Sequence, residues 1–382
     1  MKVEQKKWTK ENGWVSVSSN RLKERAQLVF LFGEYSLLKG DLHLKEVKEL
    51  YPKSHIIGCS TAGEIVGNEV LDNSLVATAV FFEDTKLQFA KTRLADMSES
   101  NRAGQELAND LKGKGLHHVF VLSEGLNVNG SGLARGLNSQ LPDPVSVTGG
   151  LAGDQGNFKE TVAFLDNKSE KNTVSAVGFY GNSAKIGYGS RGGWDSFGLD
   201  RKVTRSEGNV LYELDGQPAL ELYKKYLGDH AEGLPATALL FPLNLRSGSN
   251  GEVGLVRTVL SVDEEKGSMT FAGDVPEGSY ARLMRANLER LVDGAADAAN
   301  QTLQTSSGPF ASDLAILISC VGRKLVLRQR VEEEVEAVHQ VLGDQSVMAG
   351  FYSYGELCPI VPTDKQCELH NQTMTVTTFA EK

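Results

Sequence analysis

Three short apolar runs, each leading into a glycine-containing turn, restrict what this 382-residue chain can fold into more than any other feature. They are QLVFLFG at 27–33, HHVFVLSEG at 117–125 and DLAILISCVG at 313–322. Each is apolar over one strand length, without polar alternation, which suits strands covered on both faces. Helices are expected after them, over 41–51, 131–140 and 328–342. In the last, Val331, Val335, Val338 and Leu342 share a face and Gly343 can cap the end. A short β-like segment and a glycine loop then follow. The first loop is HIIGCSTAGE, with Gly58, Gly63 and Glu64, and the third is VMAGFYSYGE, with Gly350, Gly355 and Glu356. Both read Gly-x4-Gly-Glu. The middle loop, VTGGLAGD with Gly149, Gly150, Gly153 and Asp154, is one residue tighter. Further strand candidates lie at 75–82, 173–180 and 373–379. Strand, helix, strand, glycine loop, strand thus recurs three times, and duplication is favoured over coincidence.

The remainder agrees with an α/β protein of two domains, with mixed sheets flanked by helices. Segments 238–243 and 253–262 read as strands, and 218–227 as a helix ended by Gly228. A long helix is expected over 278–304, with Met284, Leu288, Leu291, Val292 and Ala295 on its apolar face. The boundary falls near 210–216. This gives an N-terminal extension at 1–26, an N-terminal domain at 27–212 and a C-terminal domain at 213–382. The basic cluster Lys2, Lys6, Lys7, Lys10 reads as a solvated tail.

A net charge of −9 disfavours nucleic acid and anionic membrane as partners. No apolar run reaches the roughly 18–20 residues of a spanning helix, and the N-terminus lacks a signal-peptide core. A cytoplasmic location is expected, where Cys59, Cys320, Cys358 and Cys367 are reduced thiols, metal ligands or redox centres.

Glycine after a buried strand lets the backbone approach a ligand, and successive N–H groups can form an anion nest. These loops end in Glu64, Asp154 and Glu356, however, and none carries the Lys-Ser/Thr of a phosphate loop, so ATP and GTP are discounted. A small ligand with an amine, amide or hydroxyl fits better, although each acid could equally cap its own turn. The candidate ligand-binding residues are Gly58, Cys59, Ser60, Thr61, Gly63, Glu64, Gly149, Gly150, Gly355 and Glu356. Phe351, Tyr352 and Tyr354 are candidates for an aromatic wall. The expectation is that these loops gather around a common hollow.

The motifs GCSTAGEI (58–65), SRGGWDSFG (190–198), KVTRSEGNVLYELDGQPALELY (202–223) and GFYSYGELCP (350–359) resemble those of the FIST family, in order and over 27–379. The resemblance implies a bacterial sensory protein of signal transduction that binds a small ligand and is not an enzyme. With no room for a kinase, methyl-accepting or cyclase module, it would act through a separate partner. Self-association is left open. The tail CELHNQTMT (367–375) resembles the nitric-oxide-sensing branch of the family (the NosP type), described as haem-binding and as acting on histidine kinases and cyclic-di-GMP enzymes (a diguanylate cyclase or phosphodiesterase). Many relatives are thought instead to sense metabolites such as amino acids.

Cys358-x8-Cys367-x2-His370 places three soft or borderline ligands close together, and imidazole and thiolate both suit iron. His370 and Cys367 are the metal-ligand candidates, with Cys358 and Tyr354 beside them at a haem or other cofactor. The spacing matches no standard zinc or ferredoxin pattern. A cysteine-dependent hydrolase or transferase built on Cys59, in a glycine-rich turn after a strand, is the alternative from another class. It lacks a base, because His55 on the preceding strand is placed too far away.

Overall fold

The computed structural model of the chain describes residues 1–18, 20–166, 168–248, 254–305, 311–360 and 366–381. The protein is mixed α/β, with three six-stranded sheets and a fourth that is entirely antiparallel.

The first sheet runs Ala163–Leu165, His55–Ser60, Leu28–Gly33, Leu75–Phe81, Lys2–Thr9, Gly13–Ser16. The second runs Cys367–His370, Gly355–Pro359, Ser146–Leu151, Leu116–Ser123, Thr173–Tyr180, Lys86–Arg93. The third runs Ala184–Arg191, Met374–Glu381, Leu314–Cys320, Val347–Ser353, Glu64–Val66, Glu69–Leu71. Each contains one parallel pair: 28–33 with 55–60, 116–123 with 146–151, and 314–320 with 347–353. Each pair has an antiparallel strand on either side.

One face of each of these three sheets packs into a shared core that includes Phe30, Phe32, Phe120, Phe179, Phe351 and Phe379, all buried. The opposite faces are covered by helices. Leu42–Leu50 lies on the first sheet. Ser100–Leu111 and Gly130–Gln140 cover the second, and Leu288–Thr305 and Val331–Leu342 the third. Burial on both faces is the reason the strands are apolar throughout.

The fourth sheet is formed wholly within 194–286. The chain leaves the three-sheet body after Arg191 and returns at Leu288, so this sheet is an insertion with its own core around Val203, Leu211, Tyr223, Met269 and Phe271. The boundary expected near 210–216 falls on its strand Val210–Leu214.

Three expectations are corrected here. Residues 280–286, read as helix, are a strand paired with Leu243–Arg246 on one side and Trp194–Ser196 on the other; the helix starts only at Leu288. Residues 238–243 are largely a 3-10 turn, Ala236–Leu240, ahead of the strand Leu243–Arg246. The lysine-rich start is no tail: Lys2–Thr9 pairs along Leu75–Phe81, with Lys7 bonded to Glu69. The helix Ser100–Leu111 was not anticipated. Its buried face alternates small residues, Ser100, Ala103, Gly104 and Ala108, with Leu107 and Leu111, and Gly104 and Gly136 let it lie directly on Gly130–Gln140. A Cβ on either would fall 2.4 Å from the Leu133 carbonyl oxygen or 2.1 Å from that of Asn101.

Candidate functional site

The three glycine loops do meet, because each hands its next strand to a different sheet. After His55–Ser60 the chain places Glu64–Val66 on the third sheet, and after Ser146–Leu151 it places Ala163–Leu165 on the first. After Val347–Ser353 it places Gly355–Pro359 on the second. The crossings are joined by backbone hydrogen bonds. Ala62 N donates to Tyr352 O (2.8 Å), Tyr352 N to Gly63 O (2.8 Å), Gly153 N to Ser60 O (2.9 Å) and Tyr354 N to Leu151 O (3.2 Å).

The loops therefore spend their amides on one another. Gly58, Gly149 and Gly350 face the neighbouring strand of their own sheet. A Cβ there would lie 2.0, 1.9 and 1.9 Å from the carbonyl oxygens of Leu31, Val121 and Leu317. Gly150 and Gly355 are less tightly held, a Cβ lying 2.8 Å from the Ile318 side chain and 2.9 Å from that of Leu369. Cys59, Ser60 and Thr61 are fully buried, and Ser60 Oγ accepts from Val162 N at 3.1 Å.

The acids are also internal. Glu64 accepts from the Thr61 hydroxyl and from Ser74 Oγ (2.6 Å) and N (3.3 Å). Glu356 accepts in the same way from Ser353 Oγ (2.7 Å) and from Thr373 Oγ1 (2.8 Å) and N (3.2 Å). Burial pushes their pKa values up to about 7 and about 8, against the pull of these hydrogen bonds. Asp154 accepts from the backbone N–H groups of Phe158, Lys159 and Glu160 and from the Tyr354 hydroxyl.

The hollow lies beside this junction, where the inserted sheet meets the body. It is a cleft of about 670 Å³. From the glycine loops only Ala62, Gln155 and Gly156 reach it; Asp72 and Asn73 join them from the turn after Glu69–Leu71. The other wall is Thr237, Leu239 and Leu240 of the insertion, with Val321, Lys324, Leu325 and Arg328 along the helix Val321–Leu327 and its end. Lys324 is the central cation. Its Nζ donates to Ala62 O (2.8 Å), pairs with Asp72 and lies 5.5 Å from the Tyr352 ring centroid. Gly63 makes the room: at φ +136°, a Cβ on it would come 2.3 Å from that Nζ.

Arg323, adjacent in sequence, points the other way into the body. It pairs with Glu334 at 2.7 Å, both side chains being completely buried, and donates to Gly192 O (2.6 Å) and Leu291 O (2.7 Å). Tyr352 and Ser319 donate to the second Glu334 oxygen. Ten non-glycine residues among those described have left-handed backbone, and three of them, Asn73, Gln155 and Arg328, line this one cleft. Such conformations concentrate at functional sites. None of Lys324, Arg328, Asp72 or Gln155 was singled out by sequence. They come from three separate segments and share no local motif.

The C-terminal candidates lie elsewhere. Cys358, Cys367 and His370 are buried, and Cys59 and Cys320 with them. His370 Nε2 is bonded to Cys358 O at 2.9 Å, and burial lowers its pKa to about 4, so it is neutral. No group of three or more His, Cys, Asp or Glu side chains able to hold a metal occurs among the described residues. With its Nε2 engaged and no described cleft edging it, His370 in this arrangement does not fit an axial ligand of haem. Tyr354 does line a cleft, a smaller one of about 230 Å³ between body and insertion, stacked on Phe158 at 4.3 Å. Burial also pushes the Cys59 thiol well up, opposite to what a nucleophile needs. His55 is bonded to Asp166 and stacks on Phe89. No described helix is long and apolar enough to cross a membrane.

A body of three sheets with an inserted fourth, and a cleft at their seam, describes a binding domain. The FIST N domain model matches residues 27–217 and the FIST C domain model residues 219–359, so the chain belongs to the FIST family. FIST domains are sensory domains of signal transduction that bind small ligands. The cleft lies between the two: Ala62, Asp72, Asn73, Gln155 and Gly156 belong to FIST N, and its other lining residues to FIST C. The chain is similar to the uncharacterized protein MJ1623 of Methanocaldococcus jannaschii, at 25% identity over 339 residues. That match covers 82% of this chain and 63% of the relative's length. A crystal structure of cyanuric acid hydrolase from A. caulinodans aligns over 94% of this chain and 90% of its own, at 8% identity. Its TM-score of 0.37 is too low to bear on fold or activity.

Proposed function

We propose that this chain is a sensor of a small metabolite bearing both a carboxylate and an ammonium, such as an amino acid, and that it binds this ligand without turning it over. The observation that carries the reading is the seam cleft with its two cations, Lys324 and Arg328, and one carboxylate, Asp72, around an apolar floor of Ala62, Leu239, Leu240 and Val321. The cations suit a carboxylate, Asp72 suits an ammonium, and the floor suits a side chain. Gln155 and Asn73 offer amides for orientation. A ligand held by both walls would draw the insertion toward the body, and Arg323 anchors the two carbonyls at the points where the insertion leaves and rejoins. In this reading a separate signalling protein, a histidine kinase or a cyclic-di-GMP enzyme, senses that movement. A haem-dependent nitric oxide sensor centred on His370 has less support, because that imidazole is buried and already bonded.

Thermal-shift screening of the twenty amino acids tests the proposal, with isothermal titration of any hit. At least one should stabilise the protein and bind one to one. Lys324→Ala and Arg328→Ala should each weaken binding about tenfold or more. A hit unaffected by both variants, or no hit at all, overturns it.

A further inference from the structure

A second cavity, of about 360 Å³, lies at another part of the seam between body and insertion and shares no residue with the cleft above. Three guanidinium groups reach it: Arg135 from the helix Gly130–Gln140, Arg246 at the end of Leu243–Arg246, and Arg257 at the end of Leu255–Arg257. Arg257 is the unusual one. It is 3% exposed and makes no ion pair among the described residues. Its guanidinium donates only to neutral oxygens: Asp274 O (3.0 Å), Leu369 O (2.9 Å), Val256 O (3.2 Å) and, weakly, Ser131 Oγ (3.4 Å). Asp274 and Glu368 act on it by charge but without a contact ion pair, and a buried cation with no directly bonded anion is costly.

Arg246 adds a second open donor. One of its terminal nitrogens pairs with Asp200, but its Nε is buried with no hydrogen-bond partner. Two carboxylates also line the cavity. Asp274 is held by Arg135 and by Asn129 Nδ2 at 2.7 Å, and Glu368 has interactions of its own. With Asp200 counted, the three arginines face three carboxylates, so what the lining leaves open is donor capacity, at Arg246 Nε and on Arg257, rather than net charge, and one carboxylate meets it with less added negative charge than a doubly charged phosphate would bring. The remaining wall is apolar: Leu245, Leu255, Pro276 and Ile360. A few placed charges in an otherwise apolar concavity are the usual make-up of a small-molecule site.

We infer that this cavity is a binding site for a small monocarboxylate with an apolar tail, its carboxylate on Arg246 and Arg257 and its tail along Leu245, Leu255 and Ile360. The site is independent of the seam cleft and of the ligand proposed there.

Titration calorimetry of the full chain with octanoate and phenylacetate tests it, with octanamide as the neutral control. At least one carboxylate should bind one to one, and octanamide about tenfold or more weaker. Arg246→Gln should weaken the carboxylate by a similar factor, since it removes the open donor. Leu255→Trp, which fills the cavity and leaves the arginines in place, should abolish binding. Lys324→Ala should leave it unchanged. Binding of neither carboxylate at millimolar concentration, equal binding of octanamide, indifference to Arg246→Gln and Leu255→Trp, or loss in Lys324→Ala would each overturn the inference. Failure here leaves the amino-acid screen at the other cleft unaffected, so the two readings fall separately.

Discussion

Gly63 and Lys324 touch at the border between two regions that treat polar groups in opposite ways. On the loop side, each amide and carboxylate described above is satisfied within the protein, as Glu64 by Thr61 and Ser74 and Glu356 by Ser353 and Thr373. On the cleft side, Asp72, Lys324 and Arg328 stand at a wall shared by two parts of the molecule, and Asn73, Gln155 and Arg328 line it on left-handed backbone. The loops build the junction and the cleft is what the junction leaves free. A glycine-rich motif ending in an acid is therefore no proof of contact with a ligand. Here it lets three sheets exchange strands at one point.

Neighbouring residues in the sequence give the sharpest way to break this contrast. Arg323→Ala leaves Glu334 charged and buried with only Tyr352 and Ser319 as donors, and releases the carbonyls of Gly192 and Leu291. Removing one member of a buried pair costs about 3–5 kcal/mol, so chemical denaturation should show a loss of that size. Lys324→Ala, one residue on, should lower stability by under about 1 kcal/mol, as for a largely surface ion pair. If both variants lose the same stability, the division between support and site is wrong.

A smaller loss tests the loops themselves. Gly350→Ala puts a methyl group 1.9 Å from the Leu317 carbonyl oxygen, so backbone must move. Overpacking of this kind costs about 1–3 kcal/mol. Gly156→Ala, on the cleft side, meets nothing within 4 Å and should be close to neutral in the same denaturation experiment.

What sequence could show follows the same division. Strands covered on both faces announce themselves as continuous apolar runs, so 28–33, 116–123 and 314–320 were readable, as were the helices Leu42–Leu50, Gly130–Gln140 and Val331–Leu342. The helix Ser100–Leu111 was not, because only Leu107 and Leu111 mark its buried face and the small residues Ser100, Ala103, Gly104 and Ala108 make up the rest of it. Tyr280–Ala286 was misread because Leu283, Met284 and Ala286 favour helix locally, while its strand partners lie about 40 and 90 residues away in sequence. The glycine loops meet, as expected, but not around a hollow of their own: none of Gly58, Cys59, Ser60, Thr61, Gly63, Glu64, Gly149, Gly150, Gly355 and Glu356 lines the cleft. The cleft was not foreseen, because Asp72, Gln155 and Lys324 meet only through the tertiary packing of the body, and Leu239 reaches them from the insertion.

The buried carboxylates predict a pH dependence. The usual glutamate pKa is 4.5, whereas Glu356 and Glu64 sit near 8 and 7 when folded, chiefly through burial. Their folded-state pKa is raised, so their contribution is complete below about 4.5 and is lost as pH climbs through 7 and 8. His370 runs the opposite way: its folded pKa, near 4, is depressed, so its contribution is lost as pH falls from 6.5 toward 4. Between pH 6.5 and 8 only the glutamates act among these three groups, and stability should fall by about 1–2 kcal/mol on account of Glu356. Glu356→Gln should flatten that part of a pH–stability curve. An unchanged slope would mean that Glu356 is already ionised in the fold.

The smallest effect is the most discriminating, because its two readouts should move in opposite directions. Arg328 ends the helix Val321–Leu327 at φ +52°, a position where glycine is the common residue. A side chain in that conformation costs about 1 kcal/mol, which glycine does not incur. No ion pair of Arg328 is among those described to offset this cost. Arg328→Gly should therefore raise stability by roughly 0.5–1 kcal/mol, while removing one of the two cleft cations and weakening a carboxylate ligand about tenfold. A residue kept only to end a helix would give the first change without the second. A residue whose guanidinium stabilises the fold through the cleft wall would give a loss of stability instead. Only a cation held in a strained conformation for the sake of what binds there gives a more stable protein that binds less well.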